Sequence, residues 1–315
     1  MLRPVPPGGL RAGQIALAAA LLALVWHLVG GREALRSLAS ADAAWLAAAF
    51  AALILQTALS ALRWQLTAGQ LGIRLETPDA LREYFLGQLV NQSLPGGVLG
   101  DARRAIRSRG DAGLLASGQA VIFERLAGQA GLFLCAAVAF ALTFAIPGGV
   151  SWPAWLALPV AALLAAALGL PFALHAARRL GGRVGRTIEA LWRPMITALA
   201  ARDVIWRQVA LSLATAACNL AAFAFCAEAV GHGLPPAAVA AFVPLVLMTM
   251  LVPLTISGWG LREGAAAALF PLAGSTASGG LAASVVFGLT MILAALPGIL
   301  VLLRQRLTPL GTRGS

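Results

Sequence analysis

The sequence predicts an all-α integral membrane protein, a polytopic bundle of about six spanning helices plus two re-entrant helical hairpins arranged as an inverted-topology repeat. Three observations predict it. The 315 residues are 60% hydrophobic and only 11% charged, with a mean hydropathy of +0.85, whereas soluble domains carry about 25% charged residues. Six apolar runs approach the roughly 20 residues needed to cross about 30 Å of hydrocarbon. Two segments that pair a proline with glycines, around Pro95 and Pro253, interrupt the pattern at corresponding places in the two halves. Corresponding breaks of this kind point to a binding site at the repeat interface of a transporter.

The six runs are Gly13–Leu28, Ala43–Leu62, Leu114–Phe144, Trp152–Leu174, Val209–Val230 and Leu281–Leu303. The first follows Arg3 and Arg11, as a signal peptide would, but no clear small-residue cleavage site comes after it, so it reads as an uncleaved helix. All 23 basic residues are Arg, and the formal net charge is +11. Their placement sets the orientation. Arg63, Arg74, Arg82, Arg103, Arg104, Arg107 and Arg109, the seven between Arg178 and Arg207, and Arg304, Arg306 and Arg313 all fall on one side. That side is the cytoplasm, and both termini lie in it. On the other side only Arg32 and Arg36 occur, offset by Glu33 and Asp42.

The first interrupted segment reads Leu94-Pro95-Gly96-Gly97-Val98-Leu99-Gly100-Asp101-Ala102-Arg103, and the second runs from Val252 through Pro253, Thr255, Ser257, Gly258, Trp259 and Gly260 to Arg262-Glu263. Pro95, Gly100, Pro253 and Gly260 are the expected helix breaks. The flanking arms Leu81–Ser93 and Arg262–Ala273 are too short to cross a bilayer, so each segment reads as a hairpin. Two tilted spans per hairpin, up to ten helices in all, is the competing topology. Each half then reads span, span, hairpin, span, with opposite orientation, and the halves are about 1–150 and 151–315 of a single transmembrane domain. Residues 175–207 form a basic connector with Val184, Ile188, Leu191, Trp192, Ile196 and Leu199 at near-helical spacing, the pattern of an interfacial helix on an anionic leaflet.

Ionisable groups deep in a membrane are costly and mark a site or a brace. Asp101, Arg103, Glu124, Arg125, Arg262 and Glu263 are such groups. Glu124 and Arg125 are neighbours and point about 100° apart on a helix, so one is expected to face Asp101–Arg103 and the other Arg262–Glu263. With Asn91, Gly96, Gly97, Thr255, Ser257 and Gly258 they make the expected substrate site. Arginine forks and glycine-turn amides suit a phosphate, and the carboxylates and neutral groups suit a polar headgroup. A set of buried ion pairs that only fixes the hairpins is the structural alternative.

Cys135, Cys218 and Cys226 lack metal spacing, His27, His175 and His232 form no ligand pattern, and no metal or cofactor is expected. Without lysine there is no P-loop. An enzyme would need Asp101, Glu124 or Glu263 as base, with no positioned His and no nucleophile motif beside it. No catalytic residue is expected, and the chain is not expected to be an enzyme.

Four features carry a resemblance: Arg63-Trp64; Asn91 to Arg103; Glu124-Arg125 with Gly128; and Pro253 to Gly264. In this order and spacing they resemble the transmembrane region of lysylphosphatidylglycerol synthase/flippase proteins and their stand-alone relatives, from about Arg63 to Arg304. The resemblance implies a bacterial cytoplasmic (inner) membrane protein with a gated cavity, or two, moving lipid between leaflets. The sequence ends at Ser315, soon after the last span, so the soluble aminoacylating domain of the bifunctional proteins is not expected, nor is synthase activity. Relatives also accompany polyprenyl-phosphate sugar and hopanoid pathways. The expected partners are therefore membrane lipids with anionic or phosphate-linked headgroups and a lipid-biosynthetic enzyme, and no nucleic acid. The expected function is a flippase or scramblase; an accessory subunit of a glycolipid or hopanoid pathway is the alternative.

Overall fold

A computed structural model of the chain describes residues 7–29, 31–93, 98–145, 152–252 and 254–307. Among them there is no strand. The long apolar helices are α1 (Pro7–Val29), α3 (Ala43–Gln70), α6 (Gly113–Ala145), α7 (Ala154–Ala177), α9 (Ile205–Ala229) and α12 (Ala277–Ala295). Between α1 and α3 lies the short α2 (Gly31–Ala39). The protein is a multi-pass membrane bundle. Five described helices are long and apolar enough to span by themselves, or six when α1 and α2, bent by 95° to each other, are counted as one broken span.

The first interrupted segment joins α4 (Thr77–Ser93) to α5 (Leu99–Arg107). The second joins α10 (Pro236–Met248) to α11 (Leu261–Leu269) through two 3-10 turns, Thr249–Leu251 and Ile256–Gly258. All four arms are shorter than the roughly 20 residues of a span. Pro95, Gly96, Gly97 and Pro253 lie outside the described residues. Residues 175–207 hold the end of α7 and the amphipathic α8 (Gly182–Ala200). The last apolar run is not one regular helix. Pro297 has no N–H to give, so α12 ends at Ala295 and α13 (Pro297–Leu307) continues from it.

Gly260 acts as a break: it caps α11 at φ +86°, a backbone that side-chain-bearing residues rarely adopt. Gly100 does not. It is already inside α5, where a Cβ would lie 2.0 Å from the Gly87 carbonyl oxygen, so it serves the close crossing of α5 over α4.

The most extensive helix interface joins α3 to α9, the second spanning helix of each half. Around this pair the contacts are reciprocal. Helix α6 packs on α9 and α12 on α3, while α10 packs on α6 and α4 on α12. Of the three buried clusters among the described residues, two hold aromatic rings that meet the buried arginines. One gathers Phe223, Phe242, Phe270 and Phe287 between α9, α10 and α12. The other surrounds the fully buried Trp64 with Ala80, Ala105, Ala120 and Val121, under the α4–α5 hairpin.

Candidate functional site

Charged residues are buried in both halves, and each has a partner. In the first half, Arg63 of α3 donates to Glu124 of α6 from Nη2 (2.7 Å) and Nε (3.3 Å), and from Nη1 to Thr215 of α9 (2.8 Å). Tyr84 of α4 donates to the same carboxylate oxygen (3.2 Å). One turn along α6, Gly128 leaves room for the Arg63 guanidinium, since a Cβ there would lie 2.5 Å from Nη2. The other Glu124 oxygen lies 3.7 Å from Arg104 of α5. Arg104 Nη2 donates to Asp101 (2.5 Å), three residues before it on the same face. The Arg104 guanidinium stacks between the rings of Tyr84 (4.3 Å) and Trp64 (5.0 Å). Asp101 also takes an ion pair from Arg125 and a bond from Asn91 Nδ2 (3.4 Å), and Asn91 Oδ1 accepts from the Gly100 N–H (2.7 Å). The result is one connected chain, Arg63–Glu124–Arg104–Asp101–Arg125. Its first four members are buried and only the last, Arg125, has a side chain 40% exposed.

The second half carries a smaller, sealed version. Glu263, at the third position of α11 as Asp101 is at the third of α5, accepts from the Gly260 N–H (2.6 Å), from Ser284 (2.9 Å) and from Arg262 (2.6 and 3.1 Å). An acid in the first turn suits the positive end of a helix. The guanidinium of Arg262 lies over Trp259 and Phe287, and Gly288 gives it space. Both residues are fully buried.

A cavity of about 370 Å³ opens where the two interrupted segments meet. Its polar wall is Gln88, Asn91 and Gln92 of α4, Arg125 and Gln129 of α6, and Thr255 and Ser257 of the second break. Apolar Val98, Leu251 and Val252 also line it and are 41–54% exposed. The Ser257 hydroxyl donates to the Asn91 carbonyl (3.4 Å) and ties the two breaks together. Ser257 is also the one non-glycine among the described residues with a left-handed backbone (φ 50°, ψ 26°).

Of the residues the sequence singled out, Asn91, Arg125, Thr255 and Ser257 reach this cavity. Asp101 stands behind Arg125. Glu124, Arg262, Glu263 and the buried Gly258 do not line it. Arg103 pairs instead with Glu83 (2.8 Å), on the side of α5 where Arg107 meets the same carboxylate (3.1 Å). The expected split of Glu124 and Arg125 between the two hairpins is corrected: both serve the first, because Arg262 and Glu263 satisfy each other. The sequence reading missed Arg104 as the buried partner. Its three-residue spacing from Asp101 was the available signal. Gln88 with Gln92, and Arg125 with Gln129, are four apart on one helix face, which marks the cavity wall in the same way.

Among the described residues no group of three or more His, Cys, Asp or Glu could hold a metal. Compared with known proteins, residues 11–298 match the family described as the lysylphosphatidylglycerol synthase TM region. No curated protein matches the chain.

Proposed function

The chain belongs to the lysylphosphatidylglycerol synthase transmembrane-region family, whose members are membrane proteins linked to lipid metabolism or transport, and from that premise we propose that it is a lipid transporter rather than an enzyme. In this reading it is a flippase or scramblase that moves a phosphate-bearing lipid between leaflets of the bacterial inner membrane. A phospholipid, an aminoacyl-phosphatidylglycerol-like lipid and a polyprenyl-phosphate-linked lipid share the required chemistry.

The polar cavity where the two helix breaks meet carries the reading. Its volume, about 370 Å³, is at the small end of ligand pockets and suits a headgroup rather than a whole lipid. The exposed Val98, Leu251 and Val252 at its wall suit acyl chains that stay in the bilayer. Arg125 offers a phosphate the guanidinium that otherwise pairs through Nε with Asp101, and a guanidinium can meet a phosphate as a fork. When Arg125 turns to a phosphate, Asp101 keeps Arg104 and Asn91, so no bare carboxylate is left behind. Gln88, Gln92, Gln129 and Thr255 supply neutral hydrogen bonds. The reciprocal packing of the two halves supports an inverted repeat with both hairpins re-entrant, as does the matching position of Asp101 and Glu263. The arginine-rich α7–α9 connection supports a cytoplasmic assignment for that side and for both termini. With no lysine for a P-loop, the driving force is an ion gradient or the lipid gradient itself.

Reconstituted vesicles test the proposal. Arg125→Ala lowers lipid movement about tenfold or more while the thermal midpoint stays close to wild type, and Arg125→Lys restores part of it, because a point charge replaces a fork. Wild-type movement by a folded Arg125→Ala variant rejects the transporter reading, and a new headgroup product formed by the purified protein makes it an enzyme.

A further inference from the structure

A second arginine cluster lies away from the cavity, at the corner between α7 and α8. Gly185 is buried there, and a Cβ on it would lie 1.8 Å from the Leu180 carbonyl oxygen, so the first turn of α8 folds directly onto the turn before it. The tight corner brings Glu189 to Arg178, the C-cap of α7 (3.4 Å), and Glu189 also accepts from Arg193 Nε (2.6 Å). Arg178 is held further by His175 (3.3 Å between ring nitrogen and Nη2) and by the Trp192 ring (5.9 Å). A groove of about 680 Å³ opens across this corner, with Arg178, Arg186 and Arg193 on its wall. Arg186 is exposed and makes no ion pair among the described residues.

Residues 178–193 contain five arginines and one acid, Glu189. Leu180, Val184 and Leu191 of the same corner are 52–60% exposed. A strongly cationic groove beside exposed apolar side chains, at the end of a spanning helix, matches the headgroup layer of a membrane. We propose that this groove binds the phosphate of an anionic lipid of the surrounding bilayer, at a site distinct from the cavity between the helix breaks. Glu189 is the positioning residue: it fixes Arg178 and Arg193 so that less freedom is lost when a phosphate arrives. The site needs only that the chain spans the membrane, so it stands whether or not lipid is transported.

The test uses full-length protein in phosphatidylcholine nanodiscs, with and without phosphatidylglycerol. Native mass spectrometry reads the anionic lipid retained, and thermal melting reads the stabilisation it gives. Each juxtamembrane arginine is worth about a factor of five in anionic-lipid affinity. Arg178→Gln/Arg186→Gln/Arg193→Gln therefore loses tenfold or more of the retained lipid and most of the thermal shift. Arg186→Gln alone, which breaks no ion pair, loses a measurable part of both. Arg179→Gln/Arg202→Gln/Arg207→Gln removes as much charge outside the groove and keeps the wild-type response. Equal losses from the two triple variants would mean diffuse attraction and overturn the site. So would wild-type retention by the groove variants, or the same thermal shift from inorganic phosphate in detergent without lipid.

Discussion

Replacing Arg262 separates its role from that of Arg125. The two are alike in sequence, each next to a glutamate, but their surroundings differ. Arg262 is 1% exposed and Glu263 is 0% exposed. Arg262→Ala removes the two bonds from Arg262 to Glu263, and its bond to Ser284 (2.9 Å). Glu263 is left with the Gly260 N–H and the Ser284 hydroxyl as donors and no countercharge. Breaking one side of a buried pair costs about 3–5 kcal/mol, a large share of a typical folding free energy of about 5–15 kcal/mol. The expected result is a thermal midpoint lowered on the order of 10 °C in detergent, together with poor recovery of protein. Arg262→Met/Glu263→Gln takes both charges away and keeps an amide oxygen for the Gly260 N–H, so it recovers most of the loss. Arg125→Ala, by contrast, opens a pair whose arginine is already 40% exposed, and its midpoint stays near wild type. Differential scanning fluorimetry on the four proteins decides. A wild-type midpoint for Arg262→Ala, or a double variant no better than the single one, refutes the assignment of Arg262 as a brace.

Gly100→Ala drives a methyl group against the Gly87 carbonyl oxygen and the Asn91 side chain, which a Cβ would approach to 2.0 and 2.7 Å. It costs about 1–3 kcal/mol or more and weakens lipid movement through a displaced Asp101, read by melting and by vesicle assay side by side. On α8, the hydrogen bond from Arg193 is the main cause holding Glu189 below its ordinary value of 4.5. A lowered folded-state value means the stabilisation is complete above about pH 4.5 and fades as the pH falls through the folded-state value. Wild type and Glu189→Gln therefore differ in thermal midpoint at pH 7 and converge in acid. A gap that widens in acid contradicts the sign.

The six long apolar runs were legible because length and hydropathy are enough to announce a span. Five of the six fall within single helices to within two residues at either end, and the sixth is divided between α12 and α13. Helix α2 was not legible from composition: Gly31–Ala39 mixes Arg32, Glu33 and Arg36 with apolar residues over only nine positions. The Pro297 break was hidden by the continuous apolarity around it. The charged residues were legible as a set but not as pairs. Arg103 and Arg104 are adjacent, so composition cannot say which one turns inward. That was decided by the crossing of α5 over α4, which sets Arg104 between Trp64 and Tyr84 and leaves Arg103 to Glu83. Arg63 was visible in a motif with Trp64, yet its bond to Glu124 joins positions 61 apart in sequence. Long-range pairing of that kind is set by tertiary packing, here α3 against α6, and no local pattern records it.

Ser257 has a further consequence. A left-handed backbone costs a residue with a side chain about 1–2 kcal/mol that glycine would not lose. Its hydroxyl gains a hydrogen bond to the Asn91 carbonyl, long at 3.4 Å and so near the lower end of about 0.5–1.5 kcal/mol. The loss exceeds the gain by about 0.5–1.5 kcal/mol. The clasp between the two halves of the molecule is therefore a weak one, because the backbone at Ser257 costs more than its hydroxyl returns.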